Sequence, residues 1–245
     1  MSSASERACA VVLAGGIGSR IRHLYPELPK PLIPVAGKPL LQWICDFWIR
    51  QGVRQLVLSL GHLAPVAERA ISQWSWPGIE VMPVREEAPL GTGGAFRFAA
   101  AAVPLADPLV VLNGDSLLVA PLDGMWRLLE NPEIDGVVIG VEAADTSRFG
   151  RLQMDSNGFL KAFEEKQPGE GWINAGIYIL RRRLLSLFPG HSPLSMEYDV
   201  FPALLASGCR LQVFRTHGDF IDIGTPEALA QAEQFIRRHA GELSE

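Results

Sequence analysis

The run ACAVVL, Ala8–Leu13, carries no polar side chain on either face. A half-buried strand alternates apolar and polar residues, whereas one that is apolar at every position needs cover on both sides. Other early runs share this character, so the chain reads as parallel strands sandwiched between helices. Strands are expected at Ala8–Leu13, Gln55–Leu60, Glu80–Val84, Leu109–Leu112, Gly136–Val141, Ile173–Leu180 and Leu211–Phe214. Helical patterns fall at Leu40–Gln51, Val66–Trp74, Gly94–Ala102, Gly124–Leu129, Val200–Ser207 and Pro226–His239. This alternation argues for an α/β doubly wound sheet. The 245 residues suit one large domain or two small ones, and no linker, low-complexity tract or fixed-period repeat divides them. No hexapeptide repeats follow the last helix, so no appended β-helix is expected. Ser147–Lys166 is richer in polar and turn residues and is expected to form a subsidiary substrate lobe on the same sheet.

The net charge of −5 argues against a general nucleic-acid binder, which would show a basic face. Between Arg20 and Lys38, however, Arg20, Arg22, Lys30 and Lys38 face only Glu27, a local balance of +3. That is either a host for a small polyanion or a solvated charged loop. No apolar run approaches the roughly 20 residues of a membrane span. The N-terminus, MSSASERACAVVL, lacks the basic and apolar regions of a secretory signal, so a cytoplasmic protein is expected. Cys9, Cys45 and Cys209 form no CxxC, and the histidines have no metal-binding spacing. Helix Leu40–Gln51, with Trp43 and Trp48, reads as core or as interface, so a homo-oligomer is possible and the oligomeric state stays open.

In open α/β sheets, ligands bind beyond the carboxyl ends of the strands. The first strand ends in Leu13-Ala14-Gly15-Gly16, the fourth in Asn113-Gly114-Asp115, and another leads into Asn174-Ala175-Gly176. The glycine loop is neither a dinucleotide fingerprint, because Ile21 stands where GxGxxG needs its third glycine, nor a Walker A loop, because Pro39 follows Gly37-Lys38. It is a phosphate turn or a structural one. Its glycines would admit a phosphate or base, and Arg20 would add a planar cationic fork. Lys30 lies between Pro29 and Pro31, with Pro26, Pro34 and Pro39 nearby. This is a stiffened loop that fixes a charge in place, or an ordinary exposed lysine. Glu86–Ala95, EEAPLGTGGA, is a second glycine-rich loop opening a helix, where Thr92 or Gly93 would also serve as a plain N-cap. Asp115 directly follows an apolar strand, and Asp222 sits in the apolar run FIDIG. Both are placed to hold Mg²⁺, and Thr225 before Pro226 already supplies the helix cap that Asp222 would otherwise provide.

Taken together, LAGGIGSR (13–20), PKPLIPVAGKPLL (29–41), LGTGG (90–94), NGDS (113–116), FEEK (163–166), NAGIYIL (174–180) and IDIGTPE (221–227) resemble the sugar-1-phosphate nucleotidyltransferases. The motifs follow that family's order over nearly the whole chain. The resemblance implies a Rossmann-like mixed, mainly parallel sheet sandwiched by helices in a single domain. A nucleotide-binding part would cover about residues 1–115 and a sugar-phosphate-binding part about 116–245.

By the same resemblance, Leu13, Ala14, Gly15, Gly16, Gly18, Ser19 and Arg20 hold the nucleotide, joined by Glu87, Gly91, Asn113 and Gly114. Arg20 and Lys30 neutralise the triphosphate and, with Asp115, carry the catalysis. Asp115 and Asp222 hold Mg²⁺. Thr92, Gly93, Glu165, Lys166, Asn174 and Gly176 receive the sugar phosphate. Finer features are similar to the GTP-using D-glycero-D-manno-heptose-1-phosphate guanylyltransferases: RHLYPELPKP, Glu86-Glu87 before PLGTGG, SMEYDVFP (195–202), and Phe220-Ile221 before Asp222. They imply GTP and a heptose or mannose 1-phosphate as substrates, for surface or capsular polysaccharide. UTP or dTTP with a hexose or amino-sugar phosphate is the alternative within the family. A non-catalytic sugar-nucleotide-binding subunit would be expected to lack Lys30, Asp115 or Asp222, and all three are present. His23 and Ser19 depart from the residues frequent at those positions.

Overall fold

The computed structural model describes residues 8–164 and 168–243. Strand β1 (Cys9–Ala14) leads through the glycine loop and a 3₁₀ turn (Lys30–Leu32) to a small ribbon, β2 (Pro34–Val35) and β3 (Lys38–Pro39), and then to α1 (Leu40–Arg50). Next come β4 (Gln55–Leu60), α2 (Ala64–Ile71), β5 (Glu80–Arg85), α3 (Gly91–Ala100), β6 (Leu109–Asn113), β7 (Ser116–Val119), α4 (Asp123–Leu128) and β8 (Gly136–Ala143). The remainder holds β9 (Arg151–Met154), β10 (Leu160–Glu164), β11 (Gly171–Leu180), a 3₁₀ helix (Arg182–Leu187), a π turn (Met196–Val200), α5 (Phe201–Ala206), β12 (Leu211–Thr216), β13 (Asp219–Asp222), α6 (Pro226–Arg238) and α7 (Ala240–Leu243).

A nine-stranded sheet carries the fold. Its parallel block runs β6-β1-β4-β5, and β8 and β12 form a second parallel pair. Antiparallel β11 joins the two. The mixed α/β sheet expected from sequence is therefore present. β1 explains why that expectation was readable. Its alternate residues Ala10, Val12 and Ala14 enter one core, beneath α1, α2 and α6, while Cys9 and Val11 enter the other, beneath α3 and α5. Both faces are covered, so both sets of positions are apolar. Trp43 and Trp48 are 7% and 2% exposed inside the first core, so α1 is a core helix.

All seven expected strands form. Those not expected are short: β2 and β3 have two residues each, and β7, β9, β10 and β13 four or five, too few to show a period. β9 and β10 make a hairpin that extends the sheet beside the N-terminal half of β11, where the polar segment Ser147–Lys166 had suggested a lobe. Its turn is held by Asp155, whose Oδ1 accepts from the N–H groups of Asn157 and Phe159, both at 2.9 Å. Helix boundaries shift for local reasons. α2 starts at Ala64 rather than Val66 because Pro65 is pre-set for a first helical turn. α3 starts at Gly91 rather than Gly94, taking its glycines into the helix itself. The expected cap at Thr92 or Gly93 is therefore not the arrangement found. Thr225 does cap α6, accepting from the Ala228 N–H at 3.3 Å. Among the described residues, no helix is long and apolar enough to cross a membrane.

Candidate active site

The carboxyl ends of β1, β4, β5 and β6 meet at one place because glycines let their loops touch. Gly114 donates its N–H to the Leu13 carbonyl at 3.0 Å, and a Cβ there would lie 2.7 Å from that oxygen. A Cβ on Gly61 would lie 2.7 Å from the Gly15 oxygen, and one on Gly15 only 2.6 Å from Glu86 Oε1. Glu86 is fixed there by the Ser59 hydroxyl, which donates to its Oε1 at 2.9 Å from a fully buried position. Gly16 stands apart, exposed and with nothing within 4 Å of a Cβ. The loop then turns at Gly18, φ +62°, whose carbonyl accepts from the N–H groups of Ile21 and Arg22. Ile21 anchors this turn in the interior, leaving Ser19 and Arg20 exposed on its outer side.

The prolines around Lys30 build the 3₁₀ turn Lys30–Leu32. Pro29 is its cap, and Pro31 and Leu32 are buried beneath it. Gly18 lies directly on Lys30, since a Cβ there would be 2.9 Å from Lys30 Cβ. The side chain is thereby confined, only 11% exposed, and its Nζ donates to Asp115 Oδ2 at 2.5 Å, with Asp222 Oδ1 at 3.8 Å. The two carboxylates, 35% and 31% exposed, are brought together by the β7–β13 ribbon, in which Asp222 pairs in register with Ser116. The Ile223 N–H also donates to the Asp115 carbonyl at 3.1 Å. Burial raises the Asp222 pKa above the usual carboxylate range, and the Asp115 charge adds to that rise. Lys30, the Gly224 N–H (2.5 Å from Asp222 Oδ1) and Arg148 pull it back.

Among the described residues, no three His, Cys, Asp or Glu side chains gather into a complete metal cage. Mg²⁺ seldom needs one, since it is held by one or two carboxylates together with substrate phosphates. Two carboxylates, each about one-third exposed and converging on one cation, are a donor set of that kind, so Asp115 and Asp222 fit the ion.

On the other side, α3 is locked to the segment before α5. The Gly93 N–H donates to the Leu194 carbonyl at 2.8 Å, the Leu194 N–H to the Leu90 carbonyl at 2.8 Å, and the Met196 N–H to Thr92 Oγ1 at 2.9 Å. Gly91, at φ +72°, has room for no Cβ, which would lie 2.3 Å from the Leu194 oxygen. Asn174 lies in the N-terminal half of β11, not beyond a strand's carboxyl end. Because β11 is antiparallel to β6, its interior reaches the active edge, where the register breaks between Asn174 and Tyr178. Gly176, φ +69°, packs there against the Asn113 side chain. The Asn174 amide donates to Tyr178 OH at 2.7 Å and to Glu197 Oε1 at 2.5 Å, while its oxygen accepts from the Gly176 N–H at 3.0 Å. Burial lifts the Tyr178 pKa well above its ordinary value, so this phenol stays neutral.

The structure thus brings Leu13, Ala14, Gly15, Asn113, Gly114, Asp115, Lys30 and Asp222 to one edge of the sheet. Thr92, Gly93, Asn174 and Gly176 stand along the adjoining side. Two residues went unselected in the sequence: Glu86, which meets the glycine loop while Glu87 is exposed, and Glu197, the partner of Asn174. The SMEYDVFP segment was the signal for the second. β10 ends at Glu164, and Glu165 and Lys166 lie outside the described residues.

Residues 9–239 match the family described as Nucleotidyl transferase. The chain belongs to that family. Among its relatives is the mannose-1-phosphate guanylyltransferase of Mycobacterium tuberculosis, 34% identical over 227 residues, which covers 91% of this chain and 63% of that protein. A second such relative, from Drosophila pseudoobscura pseudoobscura, is covered over only 59% of its length, so this nucleotidyl transferase spans about three fifths of those proteins. The D-glycero-alpha-D-manno-heptose 1-phosphate guanylyltransferase of Aneurinibacillus thermoaerophilus is 30% identical over 232 residues, covering 94% of this chain and 99% of that one. The crystal structure of HddC from Yersinia pseudotuberculosis complexed with GMP-PN superposes with a TM-score of 0.79 at 31% identity, covering 93% of this chain and 99% of HddC.

Proposed function

We propose that this nucleotidyl transferase moves a guanylyl group from GTP to a sugar 1-phosphate, with D-glycero-α-D-manno-heptose 1-phosphate as the favoured acceptor, giving GDP-sugar and pyrophosphate. The end-to-end match to HddC, whose structure is a complex with GMP-PN, carries this reading. The mannose-1-phosphate relatives extend well beyond the region that matches, whereas the heptose relative is matched over 99% of its length.

The chemistry suits the residues present. An oxygen of the sugar phosphate attacks the α-phosphorus, a new P–O bond forms, and the bond to the β-phosphate oxygen breaks as pyrophosphate leaves. The nucleophile is already ionised, so no general base is needed and catalysis rests on positioning and charge. Gly15, Gly16 and Gly18 admit the nucleotide to the strand ends, with Leu13, Ala14, Ser19, Glu87, Gly91, Asn113 and Gly114 around it. Arg20 and Lys30 neutralise its phosphates. Asp115 and Asp222 would hold Mg²⁺, which when bound supplies Lewis-acid stabilisation of charge on the phosphoryl oxygens. Thr92, Gly93, Asn174 and Gly176 would receive the sugar phosphate, with Glu197 joining them through Asn174, and the resemblance assigns Glu165 and Lys166 to the same substrate.

The test is pyrophosphate release with Mg²⁺, four nucleoside triphosphates and a panel of sugar 1-phosphates. Turnover with GTP and a heptose or mannose phosphate is expected. Turnover with UTP or dTTP alone overturns the guanylyl assignment in favour of the hexose or amino-sugar alternative. Nucleotide binding without turnover of any pair would instead favour a binding subunit.

A further inference from the structure

We infer that Lys30 is a built-in counter-ion for the metal-binding carboxylates, so that free protein binds divalent cation weakly and nucleotide must draw Lys30 away before the ion is held well. The inference rests on the reading above that Asp115 and Asp222 hold a divalent ion. Lys30 Nζ lies 2.5 Å from Asp115 Oδ2 and 3.8 Å from Asp222 Oδ1, the position a shared cation would take between them. The base of the stem is fixed beside the two carboxylates, and only its outer bonds can swing the ammonium to another partner. Its backbone is set by Pro29, Pro31 and the 3₁₀ turn, and Gly18 closes over its Cβ. The Lys30 side chain is 11% exposed, so water screens its attraction to the carboxylates poorly.

An ammonium between two carboxylates opposes a divalent ion in two ways. It occupies Oδ2 of Asp115, and it repels the incoming charge. A triphosphate removes both obstacles, because Lys30 can exchange its bond to Asp115 for one to a phosphate oxygen. The carboxylates are then released at the moment the nucleotide brings its own oxygen ligands. Nucleotide and metal thus become coupled ligands, each raising the affinity of the other by the same factor. The coupling resides in a single side chain that changes partners, and it needs no domain movement.

The experiment is Mn²⁺ binding followed by electron paramagnetic resonance, on free protein and with a non-hydrolysable GTP analogue. Lys30→Met keeps the length of the stem and removes the charge. In the absence of nucleotide, this variant is expected to bind Mn²⁺ at least about tenfold more tightly than wild type, because an adjacent unit charge is worth one or more decades of affinity. Mn²⁺ should also raise its melting temperature by more than it raises that of wild type. Lys161→Met, the same change at an exposed site on β10, is expected to leave Mn²⁺ affinity unchanged. Equal or weaker Mn²⁺ binding by Lys30→Met overturns the inference. If Lys30→Met is recovered poorly folded, wild type still decides: the analogue should tighten Mn²⁺ binding beyond the analogue's own affinity for the ion, and no such gain overturns the coupling. If wild type with the analogue holds Mn²⁺ but Lys30→Met without it does not, only the counter-ion role fails. If neither protein holds Mn²⁺ under any condition, the metal reading fails with it.

Discussion

Three glycine-to-alanine changes separate backbone strain from steric exclusion. At Gly16 the backbone is ordinary and a Cβ meets nothing within 4 Å. At Gly37, φ +92°, a Cβ also meets nothing, but the two-residue turn of the β2–β3 ribbon needs a positive φ that alanine adopts at a cost of roughly 1–2 kcal/mol. At Gly91, φ +72°, the same strain applies, and the new Cβ would lie 2.3 Å from the Leu194 oxygen and 2.8 Å from its carbonyl carbon. Those atoms are backbone, tied on both sides by the bonds from Gly93 and to Leu90, so they cannot swing aside as a side chain would. Overpacking of this kind adds about 1–3 kcal/mol. Alanine's better helix propensity returns at most ~1 kcal/mol at this first helical position. Gly91→Ala is therefore expected to lose about 1–5 kcal/mol, centred near 3, Gly37→Ala about 1–2, and Gly16→Ala almost nothing. For a chain of this size each kcal/mol moves Tm by roughly 2–4 °C, so the order is resolved by scanning calorimetry or urea unfolding. Gly91→Ala melting at or above Gly37→Ala would refute the close-packing account of α3. Gly16→Ala carries a second reading, since a Cβ there would stand where the nucleotide is proposed to approach. Its fold should survive and its turnover should fall.

Other outcomes follow from the same contacts. Burial pushes the Cys9 thiol up to about 12 and the buried Cys45 thiol higher still, so a disulfide reagent at mildly alkaline pH should label the partly exposed Cys209 first and the other two only in denaturant. Arg182 donates to the carbonyls of Ala100, which ends α3, and of Val103 and Ala106 just beyond it, and Arg182→Ala should cost roughly 2–3 kcal/mol in urea unfolding while leaving KM values unchanged. Glu197→Gln weakens a charge-assisted bond beside Asn174, and KM for the sugar phosphate should rise about tenfold while KM for the nucleotide stays put; parallel changes in both would place Glu197 outside the sugar side. Asp115→Asn should abolish Mg²⁺-dependent turnover with the circular dichroism spectrum intact, and normal turnover would remove Asp115 from the metal-binding pair.

What the sequence disclosed depended on whether a residue's environment is set nearby or far along the chain. The parallel block was readable because burial on both faces leaves its mark on nearly every residue of β1 and on the first four of β6. Asp115 was readable as a strand-end carboxylate for the same local reason. Its pairing with Asp222 was expected from the apolar run around Asp222 and from the family resemblance, and no local pattern shows how the two meet, because that depends on β7 and β13, two four-residue strands with no periodicity of their own. Between Glu86 and Glu87 the sequence offers no choice. Strand parity decides, and the hydroxyl of Ser59 on neighbouring β4 fixes Glu86 against Gly15. Glu197 sits in a π turn that a bond from the Met196 N–H ties to Thr92 of α3, about a hundred residues earlier. Lys30 combines both cases. The flanking prolines announced a stiff turn, and the turn is there. The carboxylate that the turn presents Lys30 to lies 85 residues away, and only the topology of the sheet brings the two together. Local stiffness fixes where the ammonium can stand, and the long-range partner fixes which charge it neutralises. A chain that needs one cation to serve two partners in turn, carboxylate and then phosphate, is best served by that division: a rigid stem with exchangeable company.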